Sequence, residues 1–289
     1  MYEKKHSILK QAVFCAVLFI FYTPFTYAKL LLIETQQKSY PIENKHINES
    51  SGLACSTRDK HLLWTHNDSG HMPIIYAMSN KAKTLGTFYL DGVESYDWED
   101  MDAFIWQGKH YLLIADTGDN YQMRFNYQLI LIKEPKLKKQ RGSSLSPQQI
   151  LTYQFADNES YDVESVAVDV RRNKILLLTK RTKHAYLFEV PLLPTNPDKT
   201  QIAVKVAEFK DIVHPSAMDI SADGLLLSIN TYRRIHRFYR RSLTDTWHYR
   251  NSLVYKKLFQ PEAMCLRKDG KYYYVSSEKK SFLLKIKEK

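Results

Sequence analysis

One short pattern recurs five times along the chain. Its fullest copy is residues 96–104 (YDWEDMDAF), and the others are residues 161–168 (YDVESVAV), 260–266 (QPEAMCL), 213–220 (VHPSAMDI) and 49–55 (ESSGLAC). One column of the aligned copies holds Ser51, Glu99, Glu164, Ser216 and Glu262. The intervals within this column are 46 to 65 residues, and each repeat contains short apolar or alternating runs between turn residues. Such a repeat predicts small sheets of short strands.

The repeat length predicts an all-β fold, a β-propeller of five four-stranded blades. The last repeat supplies only three strands before the chain ends. We therefore expect residues 29–34 to pair with residues 282–286 and complete the last blade, which leaves no open sheet edge. Six blades is the alternative, since about 43 residues per blade is also an acceptable length.

The positions that follow the repeated column alternate in size. The residues one position later are small, and they are Gly52, Asp100, Ser165, Ala217 and Ala263. The residues two positions later are large, and they are Leu53, Met101, Val166, Met218 and Met264. Since successive side chains of a strand face opposite sides, each inner strand should offer a bulky face to one neighbouring blade and a small face to the other.

The first 28 residues have the three parts of a secretory signal peptide. Three lysines precede an apolar run over residues 12–22, and residues 26–28 (TYA) form an acceptable small-x-Ala cleavage site. We therefore expect residues 1–28 to be removed and residues 29–289 to form one periplasmic or secreted domain. The alternative is a retained N-terminal anchor, although the run is short for a span of about 20 residues. No later segment is expected to cross a membrane.

The chain is basic. Its formal net charge is +11, and about +9 remains without residues 1–28. A basic exported protein suits anionic ligands such as lipid, polysaccharide or phosphorylated compounds, and the alternative is charge spread evenly for solubility. The sequence has no zinc finger and no aromatic-basic motif, so we expect no nucleic-acid partner. We expect a monomer that binds a small molecule or an exported protein.

Two cysteines remain in the expected mature chain. Cys15 leaves with the signal peptide, whereas Cys55 and Cys265 stay in an oxidising compartment. Both follow the repeated column, in the first and last repeats, which are neighbours in a closed ring. Their offsets place the two sulfurs at one interface between blades, so they can form a disulfide. The alternative is two separate buried thiols.

The candidate site is the mouth of the axial channel. There the start of each inner strand meets the loop after the second strand, and both sets of positions hold polar residues. The candidate ligand-binding residues are Asn67, Asp68, Glu99, Asp119, Asn120, Glu164, Lys180, Arg181, Asn230, Arg233 and Glu262. Carboxylates that converge on one axis repel each other and raise each other's pKa, so they require cations.

A calcium ion is one such cation, because it prefers carboxylate and amide oxygens. The candidate calcium ligands are Glu99, Glu164, Glu262, Asn120 and Asn230. The alternative is that the glutamates accept hydrogen bonds from neighbouring inner strands or pair with nearby Lys and Arg side chains. Residues 116–120 (DTGDN) resemble the start of a calcium loop without the distal Glu of an EF-hand, and a tight turn explains Gly118 equally well.

The sequence offers no defensible nucleophile. His66, His71 and His214 fall in loops on the same face, and His66 could act as a general base at neutral pH. The alternative, a hydrogen-bonded loop histidine, is the more ordinary role. A Gly-x-Ser-x-Gly elbow is absent. Whether the protein is an enzyme is therefore left open by its residues.

Three motifs together carry a family resemblance. Residues 64–70 (WTHNDSG), 97–100 (DWED) and 116–120 (DTGDN) resemble a group of secreted bacterial β-propeller proteins, largely without known activity. That group is similar to the TolB-like, SdiA-regulated and phytase/esterase-like propellers. The resemblance covers residues 50–135, and the later repeats match in pattern alone. It implies a propeller fold and says little about activity.

A more distant likeness is to calcium-dependent propeller hydrolases. These use a Glu, two Asn and an Asp around calcium, and Glu99, Asn120, Asn230 and Asp68 offer those residue types without the matching order or spacing. The first functional hypothesis is therefore an exported propeller that binds a ligand or calcium at its axial mouth, and that hydrolyses small esters, lactones or phosphoesters if it is an enzyme. The alternative is a non-catalytic interaction module.

Overall fold

The computed structural model describes residues 32–137, 143–256, 258–277, 279 and 281–289. The predicted signal peptide and the first residues of the predicted closing strand lie outside this part of the chain. The described residues form 22 β-strands. No helix in the described part is long and apolar enough to cross a membrane. The all-β prediction is therefore confirmed.

Most strands fall into five antiparallel meanders of four. The first contains β3 (Ser50–Cys55), β4 (Leu62–Asn67), β5 (Ile74–Ser79) and β6 (Thr84–Leu90). The second contains β7 (Trp98–Trp106), β8 (Lys109–Asp116), β9 (Tyr127–Lys133) and β11 (Gln149–Phe155). The third contains β12 (Val163–Asp169), β13 (Lys174–Thr179), β14 (Ala185–Pro191) and β15 (Gln201–Phe209). The fourth contains β16 (Ala217–Ile220), β17 (Leu226–Thr231), β18 (Arg234–Tyr239) and β19 (His248–Val254).

The fifth meander joins the two parts of the chain that are furthest apart in sequence. It contains β20 (Pro261–Leu266), β21 (Tyr273–Ser277), β22 (Phe282–Glu288) and, as its outer strand, β2 (Thr35–Pro41). Two short strands, β1 (Leu32–Ile33) and β10 (Ser144–Leu145), add in parallel to the outer strands β19 and β6. The second and third meanders share an eight-stranded sheet, because β11 pairs in parallel with β15 over three residues.

The first strands of the five meanders form a closed cycle. β3 contacts β7, β7 contacts β12, β12 contacts β16, β16 contacts β20, and β20 contacts β3 again. We call these five the inner strands. Each is an edge strand of its own sheet. A cycle of meanders that meet through their first strands is compatible with a β-propeller.

The inner strands pack as the alternation of large and small residues predicts. Met218 on β16 lies in the same apolar cluster as Ala167 and Leu178 of the third meander. Its neighbour Ala217 lies instead with Met264 of the fifth meander. The two faces of one inner strand therefore join two different neighbours, a bulky face on one side and a small face on the other.

Buried aspartates tie the inner strands together across their unpaired edges. The Asp100 carboxylate on β7 accepts hydrogen bonds from the amides of Val166 on β12 (3.0 Å) and Met218 on β16 (3.4 Å). Asp102 accepts one from Val168 on β12 (2.8 Å). These amides have no strand partner on that side, and an unpaired buried amide is costly. Inner-strand amides therefore do donate hydrogen bonds to carboxylates, which was the alternative role expected of the repeated glutamates. The acceptors, however, are aspartates.

Another aspartate on the inner strands shares a lysine with this set. Asp219 on β16 accepts a hydrogen bond from the Leu266 amide of β20 at 2.7 Å. The Lys268 ammonium lies 3.3 Å from Asp102 Oδ1 and 3.8 Å from Asp219 Oδ1. Burial raises the pKa of Asp219 to about 7, and Lys268 partly opposes that shift.

The strand that closes the ring differs from the prediction. β2, not residues 29–34, pairs with β22, in an antiparallel register that runs from Thr35 opposite Glu288 to Pro41 opposite Phe282. Leu32 and Ile33 pair with β19 of the fourth meander. The prediction followed the apolar run, but the outer strand is half exposed and its sequence is mostly polar (TQQKSYP). Because a half-exposed outer strand needs few apolar residues, a search for apolar segments does not detect it.

A disulfide joins the same two ends of the ring. Cys55 on β3 and Cys265 on β20 are bonded, with their Cα atoms 5.5 Å apart. Both are buried in the apolar cluster between the first and fifth meanders, beside Leu53 and Ala263. Inner strands converge closely enough for a bridge, although packed sheets elsewhere lie about 10 Å apart.

Truncation tests the closing strand. We expect a chain that begins at residue 42 to aggregate, because removal of β2 exposes the edge of β22. A chain that begins at residue 35 keeps β2 and should remain a soluble monomer. Size-exclusion chromatography and thermal melting of the two chains check this. A soluble chain lacking β2, with the melting temperature of the longer one, would contradict the closure.

The disulfide should stabilise the native state substantially. The bonded cysteines are 210 residues apart, and the chain-entropy model assigns about 5 kcal/mol to a loop of this size. We expect the Cys55→Ser and Cys265→Ser double variant to unfold at markedly lower urea concentration than the oxidised protein. Thiol labelling of the unfolded, unreduced wild type supplies the control, since a bonded pair labels at neither residue.

Candidate functional site

A cavity of about 380 Å³ opens where the inner strands begin. We call it the axial cavity. Its wall includes these predicted ligand-binding residues: Asp68, Glu99, Asn120, Glu164, Lys180, Arg181 and Glu262. The remaining wall residues are Ser51, His214, Tyr232 and Gln260. The structure thus brings the three glutamates of the repeated column to one site.

Bulges in the inner strands aim the column residues into the cavity. Glu99 is the extra residue between Trp98 and Asp100, which pair with consecutive residues of β8. Ser51, Glu164 and Glu262 are extra in the same way on β3, β12 and β20. A bulge re-aims a side chain away from the regular alternation of the strand. Ser216 precedes β16 without such a bulge, and its hydroxyl instead donates to Pro261 O at 2.7 Å.

Four predicted ligand-binding residues lie outside the cavity wall. The Asn230 amide donates to Ser216 Oγ and Pro261 O and accepts from the Tyr255 hydroxyl, so Asn230 is a strut between the fourth and fifth meanders. Its role as a calcium ligand stays a prediction, and in the structure its amide is engaged by other residues. A local hydrogen bond serves a buried amide better than an exposed ligand position does.

The other three make hydrogen bonds with neighbouring segments of the chain. The Asn67 amide donates to His46 O at 2.7 Å. Asp119 accepts from the amides of Met123 and Arg124 and from the Tyr127 hydroxyl. Arg233 is exposed, and its carbonyl accepts from the Tyr255 amide. Residue type alone could not separate these loop anchors from wall residues.

Two groups of carboxylates at the acidic part of the cavity could hold a metal ion, and they include the wall residues Asp68, Glu99 and Glu164. Asp68, Asp97 and Glu99 form one, and Glu99, Asp162 and Glu164 form the other. In each group one oxygen per residue lies within 4.8 Å of the others. Glu99 belongs to both. Asp97 and Asp162 were not predicted, although Asp-x-Glu occurs in both repeats, and a spacing of two was the signal that could have revealed them.

Glu99 is the unusual member of these groups. It is 5% exposed, and among the described residues it has no hydrogen-bond partner and no ion pair. Burial, and next the charge of Glu164, raise the pKa of Glu99 well above its usual value. Burial likewise raises the pKa of Asp97 to about 6. The acidic part therefore favours a bound proton or a bound cation at these carboxylates.

Gly118 provides the space for these two carboxylates. A Cβ at this position would overlap Glu99 Oε1 and the Asp97 carboxylate. The amide of Gly118 donates to Asp97 O at 3.1 Å, which holds the two segments together. The φ angle of Gly118 is not in the left-handed region, so the glycine serves close approach and not a tight turn.

The basic part of the cavity is already paired. Lys180 Nζ lies 2.8 Å from Glu164 Oε2 and 3.4 Å from Glu262 Oε2. Arg181 Nε lies 2.6 Å from Asp162 Oδ2, and its Nη2 donates to Asn120 Oδ1. Glu262 and Asn120 thus face cations of the protein and not the acidic groups. Burial still dominates at Glu164 and raises its pKa to about 7.

His66 is buried and does not line the axial cavity, so it is not placed to act as a base there. Its Nδ1 contacts Asn67 O at 2.9 Å, and its ring packs edge-on against Trp98 with centroids 5.3 Å apart. Burial lowers the pKa of His66, which keeps the ring neutral. A Cβ at Gly52 would overlap this ring. His66 is therefore a packing residue between the first and second meanders.

Comparisons with known proteins identify no family. No protein-family model and no curated protein matches the sequence. The family resemblance of the three motifs therefore stays a prediction. A structure of a functionally unknown protein from Desulfotomaculum acetoxidans is 13% identical over 79% of each chain, with a TM-score of 0.44.

A second similar structure comes from Bacteroides uniformis and is provisionally described as a 6-phosphogluconolactonase. It is 12% identical and has a TM-score of 0.40. The similarity covers 79% of this chain and 64% of that one. We draw no conclusion about activity from either structure.

The raised pKa values predict a pH dependence of stability. The pKa of Asp97 is about 6 in the folded protein and about 4 when unfolded, so the folded state binds more protons between these values. Stability from this group is therefore lost as the pH rises from about 4 to about 7. We expect Asp97→Asn to gain stability relative to wild type over this window, measured by urea unfolding with chelator at pH 5 and 7.5.

Asp91→Asn is the matched control for this measurement, because Asp91 is exposed and outside the cavity. A comparison between variants is needed because other groups titrate in the same range. His236, for example, has a pKa lowered by burial to about 4, which acts in the opposite direction. A constant difference between wild type and Asp97→Asn at both pH values would contradict the assignment.

Proposed function

We propose that the protein is a five-bladed β-propeller whose axial cavity binds calcium together with a small anionic ligand. Five meanders with a closed cycle of inner strands support the blade count. The main support for the site comes from Glu99. Its buried carboxylate has no hydrogen bond and no ion pair among the described residues, and it belongs to both acidic groups. An uncompensated buried carboxylate is costly unless a proton or a cation neutralises it.

Calcium suits the chemistry of these groups better than a transition metal does. Their candidate ligand atoms are carboxylate oxygens of Asp68, Asp97, Glu99, Asp162 and Glu164. Neither group includes a nitrogen or sulfur atom, the ligands that favour zinc or copper. The three oxygens of each group lie within 4.8 Å of one another, which suits a cation with flexible coordination. We place calcium at Glu99, with Asp97 and Asp68 as its main partners, because Arg181 already engages Asp162.

The second part of the proposal concerns the ligand. Besides Asp68 and Glu99, the cavity wall carries Lys180 and Arg181, together with Asn120 and Tyr232. A small molecule with a carboxylate or phosphate group could bridge the calcium ion and these cations. A volume of about 380 Å³ is in the range of small-molecule sites.

Hydrolysis of a small ester, lactone or phosphoester is the second candidate function. Glu164 favours it, because burial raises its pKa to about 7, where a carboxylate can accept a proton at neutral pH. Calcium would polarise the oxygen of the scissile group. We expect Glu164→Gln to abolish any calcium-dependent turnover of such substrates while calcium binding at Glu99 persists. Turnover that survives this change excludes Glu164 as the base.

We also propose that the mature protein works outside the cytoplasm. The disulfide between Cys55 and Cys265 supports this, because such bonds persist in oxidising compartments. The alternative function, a non-catalytic interaction module, makes a different prediction for the axial cavity. The melting temperature of such a module should not change when calcium or a chelator is added.

Calcium should raise the melting temperature through Glu99. A ligand at a hundred times its dissociation constant stabilises a protein by about 3 kcal/mol, so millimolar calcium should give a clear shift over a chelator-treated sample. We expect Glu99→Gln to lose most of this shift, since it removes a charged ligand without changing shape. Binding should also weaken below about pH 7, because protons compete for Glu99 and Asp97.

Glu94→Gln is the matched control, since Glu94 is exposed and lies outside the cavity. It should keep the full calcium shift, measured by scanning calorimetry and by isothermal titration. If wild type shows no calcium-dependent shift, the calcium proposal fails. If both variants keep the shift, calcium binds elsewhere on the protein.

A further inference from the structure

A second groove lies at the seam where the two chain ends meet, outside the axial cavity. Its volume is about 350 Å³. Four lysines line it, and they are Lys38, Lys81, Lys285 and Lys287. The rest of its described wall consists of the neutral residues Gln36, Gln37, Tyr40 and Tyr272. We call it the seam groove, and it shares no described residue with the axial cavity.

Like charges face each other directly across the closing strand pair. Lys38 on β2 stands opposite Lys285 on β22, and Gln36 stands opposite Lys287. Because side chains alternate along a strand, Lys38, Lys285 and Lys287 project from one face of the sheet. Directly opposed like charges destabilise a strand pair. The strand pair that closes the ring thus carries a repulsive cluster.

Nothing in the described wall neutralises this cluster. The wall includes no Asp or Glu, and the four lysines form no salt bridge with a described residue. Nearby lysines are paired: Lys83 lies 3.1 Å from Glu43, and Lys289 lies 2.5 Å from Glu34. Salt bridges are therefore present at both ends of this seam and absent in the groove. Even spreading of charge for solubility does not produce such a contrast.

We propose that the seam groove binds an anionic polysaccharide. Lysine ammonium groups are compact point charges that attract sulfate, phosphate or carboxylate groups without a fixed orientation. The amide of Gln36 and the hydroxyl of Tyr40 add neutral hydrogen-bonding groups, which suit the hydroxyls of a sugar chain. A polysaccharide supplies anionic groups and hydroxyls together, whereas inorganic polyphosphate supplies only the former.

The aromatic residues argue against single-stranded nucleic acid. Stacking of bases requires open ring faces. The Tyr272 ring instead has Lys285 Nζ 4.1 Å and Arg267 Cζ 4.4 Å from its centroid. These cation–π contacts hold Lys285 in place and cover the ring. The groove therefore presents positioned charge and not a stacking platform.

Binding of dextran sulfate, a sulfated polysaccharide, tests the proposal. We expect the wild type to bind it at low salt, with affinity that falls as salt rises, and to bind neutral dextran not at all. The Lys285→Gln and Lys287→Gln double variant should bind about twenty-five-fold more weakly, from about fivefold for each lysine. The control double variant, Lys60→Gln and Lys109→Gln, has the same net charge and changes exposed residues outside the groove. It should lose less than about threefold.

Thermal melting supplies an independent readout. Dextran sulfate should raise the melting temperature of wild type, because the anion relieves repulsion at the closing strand pair. The Lys285→Gln and Lys287→Gln variant should melt no lower than wild type without ligand, and dextran sulfate should raise its melting temperature by less. Equal loss of affinity in both double variants would overturn the proposal, since net charge alone would then explain binding. If polyphosphate or duplex DNA binds more tightly than dextran sulfate at the same concentration of anionic groups, the assignment to polysaccharide is overturned.

Discussion

The structure depends on satisfying the edges of five inner strands that meet in a ring. Each of these strands has a ladder partner on one side only, so its other edge turns unpaired amides toward neighbouring inner strands. Asp100 bonds two such amides on two different strands, and Asp102 and Asp219 bond one each. A carboxylate can do this because it accepts several hydrogen bonds at once. These aspartates fix the spacing of the ring, on which the axial cavity depends.

The same inner strands create the axial cavity through their bulges. Without the bulges, the side chains of Glu99, Glu164 and Glu262 would point to the faces of their sheets. The bulges turn them toward the cavity where the inner strands begin. Lys180 pairs with two of these glutamates, whereas Glu99 has no hydrogen bond and no ion pair in the described protein. The difference between paired and unpaired carboxylates within one small cavity is the reason for placing a cation at Glu99.

Two other features concentrate at the seam between the first and last meanders. The disulfide of Cys55 and Cys265 and the pairing of β2 with β22 both join the chain ends there. The covalent bond limits the effect of the lysine repulsion across β2 and β22, because it holds the two meanders together independently of that strand pair. A charge arrangement that would weaken an ordinary seam is thus compatible with a stable fold, and the seam groove can keep its positive charge.

The sequence by itself determined the repeat, the all-β class and the residues that reach the axial cavity from the repeated column. Those features follow from local pattern, since a fixed spacing places equivalent side chains at equivalent positions. It did not determine the closing strand, because β2 is a half-exposed polar segment. Nor could it separate Asn230, a strut between meanders, from Asn120, a wall residue, since both lie at or just after the end of a second strand. The bulges, the space at Gly118 and the grouping of the seam lysines arise from contacts between segments distant in sequence, and only the tertiary structure decides them.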